Sequence, residues 1–249
     1  MKFVEKSKNS NLEQFRTLSN EISKVADKVN VNIISYRDEG LPYFSKLSHH
    51  QQTEILGQLE SYLRICNNTL EQYGTKNFSV QMTWSSLKDY GLIPCSDLFD
   101  KITAEDVIEI HDMNHKQIFR NFVYFKYCSY SIEDLHCLPW TELYYRPKED
   151  LEQLTSYAEM VAKQPPKKTL YCNLGPHLIK ELSSLSRYHI LNTVKYYSPL
   201  FNKYGHMIAA IAIESPTLVD EIQLRETYSG SNLNSADESN NLIPVDFSN

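Results

Sequence analysis

His111 and His115 stand four residues apart around Asp112-Met113-Asn114. On a helix that spacing would chelate a metal ion, and on a hairpin the two rings approach each other with a carboxylate nearby. Cys128 and Cys137 lie in "NFVYFKYCSYSIEDLHCLPWTEL", residues 121–143, with His136 beside the second thiol. Cys172 has His177 five residues on, and "SLSRYH" again sets hydroxyls near an imidazole. Covalent catalysis needs more than such pairs: a base oriented by a third group, and donors placed for the developing oxyanion. The chain has no GxSxG, no HExxH and no glycine-rich phosphate loop. Glu133, Asp134, Glu149 and Asp150 fall in the first turns of expected helices, where a carboxylate favours the helix dipole. His49-His50 sits at a helix start. No complete catalytic or metal-ligating set emerges, and the expectation is a protein that is not an enzyme and holds no cofactor or metal.

The totals narrow the classes further. With 249 residues and 41% apolar content, the chain can bury a substantial core without disulfide or metal staples. The formal charge of −6 argues against a general phosphate-binding surface, so no direct nucleic-acid partner is expected. Five cysteines, odd in number and without a CxxC, suggest reduced thiols. The N-terminal "MKFVEKSKNSNLEQF" has no apolar signal core. The longest apolar run, "MIAAIAI" at 207–213, is far short of the roughly 20 residues that span a bilayer. These features point to a cytoplasmic protein without a membrane span.

The elements that must position these residues follow from periodicity. Leu12, Phe15, Leu18, Ile22, Val25 and Val29 form one apolar stripe, predicting a helix over 11–29 that packs on its own domain or pairs with a second copy. "VNVNIIS" from 31 and "YFSKL" from 43, around the turn "RDEGLP", predict a strand pair. Ser48-x-x-Gln51 is a capping-box pattern that opens a second long helix, ended by Gly74. "NFSVQMTW" at 77–84 alternates as a strand does, and "SSLKDYG" predicts a short helix. Beyond "LIPC", residues 106–112 and 116–121 predict strand–turn–strand. Short helices follow over 131–136, 139–145 and 148–163. Three strands close the pattern: "TLYCNL", "YHILNTVKYYSPL" and "MIAAIAIES", the last two joined by "FNKYGH". The segment 216–249 is polar, rich in Ser and Asn, and expected to lack a fold of its own.

Two strands, several short helices and three longer antiparallel strands follow the order of a PAS domain, and the residues resemble its pattern too. "QIFRNFVYFKYCSYSIEDLHCLPWTELYYRPKEDLEQL" is similar to the PAS sequence of a strand ending in Asn, an aromatic pair, "GYS.EEL.G.PW" and a "P.D" helix start. Asn121, Tyr130, Ser131, Glu133, Asp134, Leu135, Pro139 and Trp140 carry that match. Ser198, Pro199, Leu200 and Gly205 resemble the closing hairpin. Ser129 stands where the family usually has Gly. The likeness covers about 105–215. The N-terminal half resembles the flank of LuxR-type regulators that begin with a PAS-like sensor, whose helix-turn-helix output is not in this sequence.

The resemblance implies an α+β protein with three parts. These are an N-terminal α+β extension with two long helices (1–95), a PAS-like five-stranded antiparallel sheet with short helices on one face (96–215), and the polar tail (216–249). It implies that Asn121 ends a strand and bonds the following turn, and that Ser131 caps a helix with Asp134. A haem-binding PAS would carry a His in the helix over 148–163, and none is present. In this register Phe122, Phe125, Trp140, Tyr144, Tyr171 and Tyr197 face the space between sheet and helices. They either line an apolar pocket with a few hydroxyl handles or fill it, and the nearly unbroken aromatic run favours filling. The function implied is that of a sensory or regulatory protein acting through a small apolar or aromatic ligand or a protein partner, and a homodimer formed through the 11–29 helix is expected. The alternative is a stand-alone interaction factor, such as a translocated bacterial effector, using the scaffold as a surface.

Overall fold

The computed structural model describes residues 2–163, 165–182 and 188–219, with side chains from Ser10 onward. Most of the expected tail lies outside the described residues. Helix α1 (Lys2–Lys28) turns its stripe inward: Phe15, Ile22, Val25 and Ala26 are buried. They pack with α2 (His49–Tyr73), whose Ile55, Leu56, Leu59 and Ile65 form the opposing face. The stripe thus packs on its own domain, the first of the two expected alternatives, with Leu12, Leu18 and Val29 partly buried. The capping box of α2 forms as expected. The Ser48 hydroxyl accepts from the Gln51 N–H at 3.3 Å, and the Gln51 side chain accepts from the Ser48 N–H at 3.0 Å. Gly74 stops the helix at φ 66°, a backbone region that favours glycine.

Two segments depart from the expected strands. Residues 31–36 are extended but pair with no strand; the Ile34 and Ser35 carbonyls instead accept from the Ile132 and Glu133 N–H groups at 2.8 and 3.3 Å. The expected return strand over 43–47 contains a 3-10 turn, Phe44–Lys46. Residues 78–84 are likewise not a strand but the start of α3 (Phe78–Asp89). Phe78, Met82, Thr83, Ser86 and Leu87 are its buried residues, a helical spacing visible only over the longer window. Tertiary packing against α2 and Phe122 outweighs the β preference of Phe, Val, Thr and Trp in the shorter one.

The remainder is an antiparallel sheet with helices. In chain order its pieces are β1 (Ile93–Pro94), β2 (Val107–Asp112), β3 (Gln117–Arg120), α4 (Ile132–Cys137) and α5 (Trp140–Leu143). Then follow β4 (Tyr144–Tyr145), α6 (Lys148–Lys163), β5 (Leu170–Tyr171), β6 (His177–Glu181), β7 (His189–Phe201) and β8 (Met207–Val219). The order across the sheet is β3-β2-β8-β7-β6-β4, with β1 and β5 also pairing along β7. The third long strand of the chain is β6, not the expected "TLYCNL", of which only two residues pair. Gly205, at φ 81°, lets the β7–β8 turn close, while the Asn202 side-chain oxygen accepts from the Tyr204 and His206 N–H groups.

Alternation splits the sheet into two environments. Ile108, Ile110, Ile211 and Ile213 point to the helical layer of α1–α3, and one hydrophobic cluster runs from Phe15 and Phe44 through to these strands. Val107, Glu109 and His111, with Ala212 and Glu214, point the other way, toward α4–α6. The molecule is thus mixed helix and antiparallel sheet, with a sheet that curls and is covered on both faces.

Candidate functional site

The turn after β3 sets the geometry. Asn121 is buried, and its side chain bonds back to β2 rather than onward: Oδ1 accepts from the Ile108 N–H at 3.2 Å, and Nδ2 donates to the Asp106 carbonyl at 2.8 Å. Only its backbone carbonyl serves the following turn, accepting from the Tyr124 N–H. The 3-10 segment Phe122–Lys126 then sends successive rings in different directions. Phe122 packs on Phe78 at 5.3 Å between ring centres, and Phe125 packs on Phe122 at 6.4 Å. Tyr124 and Tyr127 point to the opposite side.

The next contacts anchor α4. The Ser131 hydroxyl accepts from the Asp134 N–H, and the Asp134 carboxylate accepts from the Ser131 N–H at 2.8 Å, completing the expected capping box. Glu133 is buried and its carboxylate accepts from the Tyr43 and Phe44 N–H groups at 2.9 and 3.1 Å, so it ties α4 to the N-terminal layer. Ser129 has no positive φ, and its hydroxyl donates to Glu181 at 2.6 Å. The residue in the usual glycine position therefore serves as a tether between the turn and β6.

Between the sheet and α4–α6 lies a cavity of about 520 Å³. This overturns the filled-core expectation. Its floor is Val107, Glu109 and His111 of β2, Asn192 and Val194 of β7, and Ala212 and Glu214 of β8. Register brings them together: Glu109 lies opposite Ala212 on one side and Arg120 on the other, and Val107 opposite Glu214. The roof is Leu151, Leu154 and Ala158 of α6, with Arg146 entering from the loop before that helix.

Of the six aromatics singled out from the sequence, Trp140, Tyr144 and Tyr197 line this cavity. Phe122 and Phe125 do not; they belong to the cluster shared with the N-terminal helices. Tyr171 is 68% exposed, on the two-residue strand that borders β7. Trp140 stands at the rim, 37% exposed, under the Arg146 guanidinium 5.8 Å from its ring centre. Tyr144 is placed by two contacts: its hydroxyl lies 2.6 Å from that of Tyr124 and donates to the Cys128 sulfur at 3.3 Å. Tyr130 and Ser131 are buried in the supporting turns, and Pro139 precedes α5 as its cap.

The polar lining is the part that sequence reasoning missed. Glu214 accepts from Asn192 Nδ2 at 2.8 Å; burial, with Glu109 nearby, raises its carboxyl to about 7. Burial also pushes His136 down to about 3 and lowers His111, so both imidazoles are neutral near pH 7. His111 Nε2 lies 3.8 Å from Glu109 Oε2. The Arg120 guanidinium stacks 4.9 Å from the centre of the Tyr124 ring. The Arg146 Nε and the Asn192 Oδ1 are buried and have no hydrogen-bond partner among the described residues. A polar strand face reads in sequence as solvated; the available signal was Glu214 directly after the apolar run 207–213.

Of the candidates for metal and thiol chemistry, His111, His115, His136 and Cys172 line the cavity. His115 occupies a left-handed turn position at φ 60°, and among the described residues no group of three or more His, Cys, Asp or Glu is placed to hold a metal ion. Burial raises the Cys128 and Cys172 thiols to about 11, which disfavours the nucleophilic thiolate. No described helix is long and apolar enough to cross a membrane. No protein-family model matches the sequence, and no curated protein matches it.

Proposed function

We propose that this chain is a PAS-type sensory or regulatory protein that acts by binding a small molecule between its sheet and the helices α4–α6. The carrying observation is the cavity itself. At about 520 Å³ it falls within the range of small-molecule sites, and it combines apolar walls with a few convergent polar groups. The strands lie in one antiparallel sheet with α4–α6 over one face, as the resemblance implies, and this supports the family reading; the sheet has eight strands rather than the five expected. The raised thiols favour binding over thiol chemistry.

The output in this reading is mechanical. The cavity shares β2 and β3 with the helical layer, since Ile108, Ile110 and Phe119 face α1–α3 while Val107, Glu109 and Arg120 face the cavity. A ligand that shifts these strands alters the packing of α2, whose Tyr62 hydroxyl donates to the Arg120 carbonyl at 2.7 Å.

The test is a thermal-shift screen of small molecules on the wild type and on Ala212→Phe, which places a ring on the cavity floor; Ala158→Trp serves from the roof. A ligand at 100 times its Kd stabilises by about 2.7 kcal/mol. Compounds that raise the wild-type melting temperature and leave a folded filled variant unmoved are expected. Compounds that stabilise both proteins equally, or no responding compound, would refute a cavity ligand.

A further inference from the structure

The charges in the cavity are unequally satisfied. Of its basic groups, Lys116 is committed to Glu54 at the rim. His111 and His136 are neutral near pH 7 for the reasons above. Two arginines, Arg120 and Arg146, also line the cavity, and neither guanidinium has a carboxylate within 4.0 Å among the described residues. Each instead lies over an aromatic ring. The two carboxylates act on them only at a distance: Glu109 Oε2 lies 3.8 Å from His111 and faces Arg120 across the strand pair, and Glu214 accepts from Asn192. Glu214 is in part neutral near pH 7, which further lowers the negative charge facing the guanidiniums.

Arg120 is buried and Arg146 half-buried; a guanidinium is always charged, and one without a carboxylate in contact keeps donors for an anion. Its planar fork matches a carboxylate. The unpartnered Nε of Arg146 marks where such a group would be met. Leu151, Leu154 and Ala158 of α6, with Ile179 and Ile190 of the sheet, give the same cavity apolar lining. We propose that the ligand is an amphipathic organic anion, its carboxylate held by Arg146 in the positive field of Arg120 and its apolar body laid along the α6 wall. This rests on the cavity being the ligand site. It replaces the apolar or aromatic ligand expected from sequence with one that carries a negative head.

Three eight-carbon probes of nearly equal shape separate the two levels of the proposal: octanoate, octanol and octylammonium, titrated calorimetrically at pH 7.5 below their aggregation limits. Octanoate is expected to bind at least tenfold tighter than octanol, and octylammonium weakest. Arg146→Gln should remove that advantage while octanol binding stays unchanged. If Arg146→Gln does not fold, Glu109→Gln decides: by removing a negative charge it should tighten octanoate, and weakened octanoate binding there would overturn the proposal. Octanol or octylammonium binding as tightly as octanoate, with loss in Ala212→Phe, would refute the anion while leaving the cavity site standing. No probe binding the wild type, or binding that survives in a folded Ala212→Phe, would overturn both.

Discussion

Glu214→Gln tests the electrostatics of the cavity floor without any ligand. The side chain is buried, faces Glu109 from β2 and Arg146 from the loop before α6, lies near the Cys172 thiol, and accepts from Asn192. Burial is the largest cause of its rise from the ordinary 4.5 to about 7, followed by Glu109; Arg146 and the Asn192 hydrogen bond oppose it. Because the folded-state value is raised, the folded protein holds this proton more tightly than the unfolded chain does. Its contribution is fully present below about 4.5, is lost as pH rises toward 7, and changes little above. At 1.36 kcal/mol per unit, ionised Glu214 costs at most about 3 kcal/mol above pH 7. Gln has the same shape, keeps an oxygen for Asn192, and carries no charge. Glu214→Gln is therefore expected to stabilise the protein by about 1–3 kcal/mol at pH 8, and to change little at pH 4.5. For a domain of this size that is a rise of roughly 3–10 °C in Tm at pH 8. Paired thermal melts of the two proteins at both pH values cancel the other titrating groups. An equal difference at both pH values, or a less stable variant at pH 8, would refute the account of the floor.

Two further outcomes follow from the way the aromatic and motif residues are divided. Phe122→Ala should cost about 3–5 kcal/mol by chemical denaturation, because the ring is fully buried between Phe78 and Tyr62. Trp140→Ala should cost less than about 1.5 kcal/mol, since the ring stands half out of the rim, and a loss as large as that of Phe122 would contradict this placement. Asn121→Ala leaves the Ile108 N–H and the Asp106 carbonyl without their side-chain partner, at a cost of about 2 kcal/mol or more; a loss below about 0.5 kcal/mol would show those bonds to be dispensable.

Features under the control of local chemistry were legible in the residues. The stripe from Phe15 to Val25, the Ser48–Gln51 and Ser131–Asp134 caps, and the β7–β8 turn at Gly205 each depend on contacts within a few residues, and all form as the spacing requires. Tertiary contacts decided the rest. Residues 31–36 have strand chemistry but spend their carbonyls on the first turn of α4, ninety-odd positions away. Residues 78–84 alternate like a strand but bury one helical face against α2 and Phe122. Phe122 and Phe125 were legible as buried, but not on which side of the sheet, because a single 3-10 turn redirects the rings. The candidate site was least legible of all. Glu109 and His111 alternate with Ile108 and Ile110 as they would on a strand facing water, and period two is blind to what covers the polar face. Here α6 and the Arg146 loop cover it, and that covering alone turns an ordinary polar face into a charged cavity.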